Sequence, residues 1–339
     1  MIIRNYNRRT FFKPAAIAAL FLLISLFFIS ACGKNSLKRA ASTRLAMGTT
    51  VTVIFLYEPG TDNEKIMNDV FEEIKRLSGI MSHYDKNSEV SRLNRDGFLE
   101  NADPQLVEVI EHALEYNKLT KGTFDITILP IIDLFKNSFK ENRVPQESEI
   151  KETLEFVGSD KVELRGNSIR LGEKGMHITL DGLAKGYIVD MASKVLSEHG
   201  IKNYLINAGG DIKTEGLRED GKPWKVAIQD PADKNNHLDV IELTGSSVAT
   251  SGNYENYFDA EKIFHHIADP KTGFSPVLNS SASIIAPTAM EADALATSLM
   301  VMAPDYGISF INSLPGREAL IITRDGKLIR SSGWKSISP

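Results

Sequence analysis

From Ala286 to Met300 the chain reads Ala-Pro-Thr-Ala-Met-Glu-Ala-Asp-Ala-Leu-Ala-Thr-Ser-Leu-Met. This is a strand end running into a helix built of small residues. Thr288 and Glu291 fit a capping box, in which the Thr oxygen accepts from the N3 amide and the Glu reaches back to the cap amide. Asp293 and Thr297 lie four residues apart and so share one helix face. The surrounding alanines let a ligand come close. A carboxylate and a hydroxyl side by side suit a hard cation such as Mg²⁺, which prefers oxygen and retains substrate phosphates. Taken alone, the segment reads first as a capped core helix and only second as a site, so other segments must decide.

The N-terminus bears on location. Arg4, Arg8, Arg9 and Lys13 precede an apolar run from Ala15 to Ile29, too short for a membrane span and built like a secretory signal. It ends in Ile29-Ser30-Ala31-Cys32, a lipobox-like sequence that places the chain's single cysteine at the start of the mature protein. The expected organisation is a signal peptide over 1–31, a lipidated tether over 32–42 and one domain over 43–339. The protein would then be a membrane-anchored lipoprotein facing the periplasm or the cell exterior, with Cys32 carrying the lipid. Without the four basic signal residues the net charge moves from −5 to −9. An acidic chain with no basic run is a poor nucleic-acid binder. With Cys32 lipidated, neither a disulfide nor a thiol nucleophile remains.

Along the domain, Arg44–Leu56 alternates like a strand, Asn63–Met81 has helical spacing, and Asp103-Pro104 opens a helix running to about Leu119. Phe124–Phe135 contains Pro130 and reads as a loop or short helix. Lys151–Phe156 and Ala184–His199 are expected helices, and Val162–Arg165 with Ile169–Leu171 a hairpin. Short strands are expected at Tyr204–Ile206, Trp224–Ile228, Val240–Leu243, Val248–Ser251 and Ile263–Ile267. A helix near Tyr306–Asn312 and a hairpin across Asp325-Gly326 close the chain. Strands in runs with helices interspersed irregularly predict an α+β fold with antiparallel sheets rather than regular βαβ winding.

Irregular segments interrupt this scaffold. Thr179-Leu180-Asp181-Gly182-Leu183-Ala184-Lys185-Gly186 enters a helix whose first amides, with Lys185, would make a phosphate cradle. The alternative is a solvated lysine. Asn207-Ala208-Gly209-Gly210-Asp211 brings paired glycines after a strand, although most such turns are only turns. His266-Ile267-Ala268-Asp269-Pro270-Lys271-Thr272-Gly273 joins a histidine to a tight turn, and a lone histidine is more often structural than catalytic. Met47-Gly48-Thr49-Thr50 and Tyr84-Asp85 carry little alone.

Their order carries more. Met-Gly-Thr-Thr, Phe124-Asp125-Ile126-Thr127, the Ala-Lys-Gly segment, Asn-Ala-Gly-Gly-Asp and Ala227-Ile228-Gln229-Asp230-Pro231 follow in turn. Thr250-Ser251-Gly252-Asn253-Tyr254, the His-Ile-Ala-Asp-Pro segment and the Ala-Pro-Thr helix complete the series. The sequence resembles the ApbE family, the FAD:protein FMN transferases, over nearly the whole mature chain. The resemblance implies a T-fold-like α+β domain that binds FAD as substrate with Mg²⁺ as cofactor. It implies transfer of FMN to a Thr or Ser hydroxyl of an acceptor, with release of AMP. It also implies FAD contacts at Met47, Tyr84, Thr123, Phe124, Asp125, Thr179, Asp181, Lys185, Ile267 and Ala268, and a metal site at Gly182 (through its carbonyl), Asp293 and Thr297. Thr179 and Asp181 stand where the family's usual Asp-Leu-Gly-Gly has Asp and Gly. Ala268 replaces an isoleucine of His-Ile-Ile-Asp-Pro, and Ala296 stands where some members carry a second acidic ligand. Acceptors of the family resemble NqrC or RnfG subunits of redox pumps, or other exported flavoproteins.

The residues are consistent with phosphoryl transfer, which needs charge neutralisation and positioning more than covalent help. Lys185 could stabilise phosphate charge and Asp293 hold the metal. His266 either deprotonates the acceptor hydroxyl or only orients the flavin or phosphates. No Gly-x-Ser-x-Gly elbow or strand-following Gly-x-Gly-x-x-Gly occurs, which disfavours a serine hydrolase and a Rossmann site. An FAD pyrophosphatase releasing FMN and AMP, or a non-catalytic flavin-binding lipoprotein, are the other readings.

Overall fold

The computed structural model describes residues 37–337 except 234, 255–256 and 259–263. The expected signal peptide, Cys32 and the first residues of the expected tether therefore lie outside the described residues. Strands β1 (Lys38–Ala46) and β2 (Thr49–Tyr57) form a hairpin, followed by α1 (Asn63–Met81), α2 (Glu89–Asp96), β3 (Phe98–Leu99) and α3 (Pro104–Leu119). Next come α4 (Leu129–Lys140), α5 (Glu147–Leu154), β4 (Val162–Arg165), β5 (Ser168–Leu171), α6 (Ala184–Glu198), β6 (Asn203–Ala208) and β7 (Asp211–Glu215). The remainder is β8 (Trp224–Gln229), β9 (His237–Leu243), β10 (Ser247–Gly252), β11 (Asn279–Ala286), α7 (Ala289–Val301), α8 (Pro304–Asn312), β12 (Glu318–Thr323) and β13 (Leu328–Arg330).

The main sheet has eight strands in the order β1-β2-β6-β7-β10-β11-β12-β13, every pair antiparallel. A three-stranded sheet, β3-β5-β4, and a β8-β9 ribbon complete the strands. The α+β expectation is met. The period-2 alternation of the strands sorts their side chains into two layers. Val51, Val53 and Phe55 of β2 bury against α1 and α6, and Ala249, Ala282 and Ile284 against α7. On the opposite face Ile212, Val248 and Leu320 meet Val226, Ile228 and Ile241 of the ribbon, together with Trp334. Helix α7 is buried on nearly every side. A helix of mostly small and apolar residues suits burial on all sides, and here it lies between the sheet and α6.

Several elements differ from the sequence expectation. Arg44–Leu56 is two strands, not one, because Met47 (φ +53°) and Gly48 (φ +69°) form a tight left-handed turn between β1 and β2. Lys38–Ser42, expected as tether, are paired in β1. Around Pro130 a short turn, Ile126–Ile128, runs directly into α4, with the proline in the first helical turn where its missing N–H costs nothing. The strand expected over Ile263–Ile267 is a single bridge between Tyr257 and His265, and Ile263 lies outside the described residues. Strands β3 and β7 and helix α2 had no expectation, and of β11 only its end at Ala286 was expected.

Candidate active site

The first turn of α6 and the middle of α7 meet at glycine. The Gly186 amide donates to Asp293 Oδ2 at 3.2 Å, and a Cβ at position 186 would fall 2.3 Å from the Ala289 carbonyl oxygen. Beside this contact Lys185 Nζ lies 3.4 Å from Asp211 Oδ1, at the start of β7. Asp211 and Asp293 are 1 % and 5 % exposed. Neither oxygen of Asp211 has a hydrogen-bond partner. Burial, and then the charge of Asp293, pushes the Asp211 carboxyl well above the ordinary carboxylate range, with Lys185 pulling the other way. Burial also raises Asp293, against the pull of Lys185.

The N-terminal amides of α6 do not form the expected phosphate cradle. Those of Leu183 and Ala184 donate to the Leu180 carbonyl, that of Tyr187 to Leu183, and that of Gly186 to Asp293. What the segment presents is the Lys185 ammonium. The approach of β7 has its own local cause. Gly209, at φ +57°, lies against Thr49, where a Cβ would meet Thr49 Oγ1 at 2.5 Å. The Gly209 amide donates to the Thr50 carbonyl and the Gly210 amide to Asn207 Oδ1. The Met47-Gly48 turn and the Gly-Gly turn therefore sit side by side at the end of the sheet that holds Asp211.

Gly182 packs against a second corner of α7. A Cβ there would lie 3.0 Å from the Phe124 ring and 3.2 Å from Thr297 Oγ1, so Phe124, Gly182 and Thr297 are brought together. Thr297 Oγ1 is also 3.2 Å from Ser251 Oγ on β10. One turn of α7 thus aligns Asp293 and Thr297, flanked by Gly182, Ser251 and Lys185. Among the described residues no three His, Cys, Asp or Glu side chains gather as a metal site. The side-chain oxygens gathered here, two carboxylates and two hydroxyls, have the hard-oxygen chemistry that suits a cation with open positions for substrate.

Next to Gly182, the Tyr84 hydroxyl donates to Asp181 Oδ2 at 3.0 Å, and His83 Nδ1 lies 3.5 Å from Asp181 Oδ1 and 3.2 Å from Thr179 Oγ1. Burial pushes the Asp181 carboxyl up, but hydrogen bonds from His83 and Tyr84 more than offset this and hold it below its usual range. Desolvation and the Asp181 charge raise the Tyr84 hydroxyl. Even so, the Tyr84 residue is 69 % exposed, a large aromatic rim over this corner.

The remaining expected contacts divide. Ile267 is buried in the cluster that includes Ala292 and Ala296 of α7, and Ala268 packs near Ile131 and Phe135. His266, just before them, is half-buried, its ring 6.3 Å from that of His265. The neighbouring His265, not singled out in the sequence, has a ring nitrogen 3.0 Å from the Pro276 carbonyl. Asp125 is drawn elsewhere. Its carboxylate accepts from Thr127, Ser159 and Asn117, tying its own turn to the end of α3 and to the Ser159 turn, next to Phe124. The Thr123 hydroxyl donates to the Thr120 carbonyl in the same turn.

The α7 cap is also rearranged. Thr288 accepts from the Glu291 amide, as expected, but the Glu291 carboxylate pairs with Arg317 instead of returning to the cap. The free first-turn amides of Ala289 and Met290 donate to Asp190 of α6, both at 2.9 Å. Asp190, Asp211 and Ser251 were not singled out from the sequence. Only Asp211 carried a signal, as the acid closing a Gly-Gly turn.

The α+β fold thus gathers an oxygen-rich corner where α6, α7 and β7 meet. The ApbE family model matches residues 47–321, and the chain belongs to the ApbE family. An FAD:protein FMN transferase of Vibrio cholerae is 32 % identical over 92 % of this chain and 96 % of its own length. One from Haemophilus influenzae is 30 % identical over 91 % and 94 %. Among solved structures, the ApbE protein of Thermotoga maritima aligns with a TM-score of 0.79 at 31 % identity, covering 87 % of this chain and 97 % of that one. The flavin transferase ApbE of Vibrio cholerae aligns with a TM-score of 0.75 at 28 % identity, over 87 % and 98 %.

Proposed function

We propose that this chain is a Mg²⁺-dependent FAD:protein FMN transferase, moving FMN from FAD to a Thr or Ser hydroxyl of an acceptor flavoprotein and releasing AMP. One observation carries the reading. In a family whose curated relatives bear that name, buried Asp293 stands beside the Lys185–Asp211 pair with Thr297 one turn on. Asp293, Thr297 Oγ1 and the Gly182 carbonyl would hold the Mg²⁺. The fit rests on the buried oxygens of Asp211, which lack a well-formed hydrogen bond, and on the glycine that leaves space against Thr297. Bound there, the ion would supply Lewis-acid polarisation of the pyrophosphate.

The protein's own groups do the rest. Lys185 neutralises phosphate charge as the bond between the FMN phosphorus and the AMP oxygen breaks. His266 takes the proton of the attacking acceptor hydroxyl as its oxygen bonds to that phosphorus. Tyr84, Asp181, Thr179, Phe124 and Met47, with Ile267 and Ala268, line the FAD site. Thr123 and Asp125 hold the loop behind Phe124. Cys32 carries the lipid that anchors the domain to the membrane. The acceptors are exported flavoproteins, NqrC-like or RnfG-like subunits among them.

The test incubates the purified protein with FAD, Mg²⁺ and such an acceptor. The expected product is acid-stable fluorescence with an FMN mass on a Thr or Ser, absent for Asp293→Ala. Soluble FMN and AMP with every acceptor would replace transfer by hydrolysis, and unchanged FAD would leave only a binding protein.

A further inference from the structure

Asp211 is the one site residue whose chemistry is left over. It is 1 % exposed, opens β7, and has the Lys185 ammonium at 3.4 Å from Oδ1, with no well-formed hydrogen bond to either oxygen. A buried carboxylate answered by one ion pair alone is costly, and folded proteins nearly always satisfy such groups more fully. The neighbourhood is built to keep it there. Gly209 and Gly210 make the turn that delivers it, the contact with Thr49 fixes that turn, and Ile212 is anchored on the opposite face of the sheet. An asparagine at this position would have served a purely structural role at lower cost. Lys185 answers only part of the charge, since Asp293 lies close enough to act on Asp211 electrostatically.

We infer that Asp211 is a further ligand of the divalent cation, facing Asp293 across the site, with Lys185 as the resident charge that holds the two carboxylates together until the cation arrives. The inference rests on the reading of Asp293, Thr297 and Gly182 as cation holders. It supplies from β7 the second carboxylate that Ala296 does not supply from α7. Two carboxylates and a lysine carry one net negative charge, and a divalent cation turns this into one net positive charge. The polyanionic pyrophosphate then meets a positive site, and Lys185 is free to turn to the phosphates.

The probe is Mn²⁺ alone, followed by electron paramagnetic resonance on the purified domain without FAD and checked by melting in Mg²⁺ and in chelator. Wild type is expected to bind Mn²⁺ and to melt higher with Mg²⁺. Asp211→Asn is expected to bind Mn²⁺ at least tenfold more weakly, to lose the Mg²⁺ shift, and to melt at or above wild type in chelator, because the repulsion between two buried carboxylates has been removed. A residue that serves only as counter-ion to Lys185 would behave oppositely, melting lower in chelator with Mn²⁺ affinity unchanged, and that result overturns the inference. Asp211→Glu covers the case in which Asp211→Asn does not fold. Lengthening a ligand by one methylene is expected to change Mn²⁺ affinity at least threefold, and an unchanged value again overturns it. Absence of Mn²⁺ binding by wild type overturns this inference together with the cation reading, whereas binding by wild type and by Asp211→Asn alike overturns this inference alone.

Discussion

Gly186 and Asp293 are 107 residues apart in the chain, yet the amide of one donates to the carboxylate of the other across the closest approach of α6 and α7. That contact requires glycine, because the Ala289 carbonyl occupies the space a Cβ would need. Gly186→Ala is therefore expected to push the helices apart. Overpacking of this kind costs about 1–3 kcal/mol. A lowered melting temperature together with loss of FMN transfer is the expected pair of results, the second from displacement of Asp293.

Gly182→Ala tests the second corner. The added methyl meets Phe124 and Thr297 Oγ1 at 3.0 and 3.2 Å, so one of them must give way by a few tenths of an ångström. The expected outcome is a drop in transfer rate of at least tenfold with a melting temperature close to wild type. Full activity would show that neither contact matters to the chemistry.

Tyr84→Phe removes the hydrogen bond to Asp181 and leaves the ring. A partly exposed hydrogen bond to a charged acceptor contributes about 1–2 kcal/mol. The expected signature is a several-fold rise in KM for FAD with kcat nearly unchanged, measured by steady-state transfer to a saturating acceptor.

Asp239 offers a pH test away from the site. It is buried and accepts from Arg330, Trp334 and Ser336, joining β9 to the C-terminal segment. Burial alone would raise its carboxyl, but these donors outweigh burial and hold it below the ordinary value of 3.8. A depressed folded-state value means that the carboxylate contributes stability above the unfolded value. That contribution is lost as the pH falls below 3.8 through the folded value. Asp239→Asn is expected to melt lower near neutrality, by about 1–3 kcal/mol of stability, and to show a shallower acid slope below that point than wild type.

The sequence made the helices and the order of the site segments legible, but not the way the segments meet. Helices α1, α3 and α6 follow from periodicity and caps that act locally, and the Asp293–Thr297 face from spacing alone. The Met47-Gly48 turn was hidden because a methionine gives no hint that it will adopt a positive φ. The phosphate cradle was expected from an N-terminus whose amides looked free, and tertiary contacts with Asp293 took one of them. Asp125 sits in the right motif but spends its oxygens on loop closure. The α7 cap was half legible. Thr288 acts within its own turn, whereas Asp190 arrives from a helix 99 residues earlier. Properties set by near neighbours were readable, and those set by remote partners were not.

The cap on α7 has a consequence for the life of the chain. Asp190 and Gly186 hold the helix from one side, while Gly182, Ser251 and Asp211 converge on it from three other segments. The oxygen cluster therefore has no precursor in any shorter piece of the polypeptide. A chain still missing the segment after Ala286 carries Lys185 and Asp211 but nothing to close them into a site. Flavin handling is thus withheld until the segment after Ala286 has docked, and the site doubles as a sign that the fold is complete.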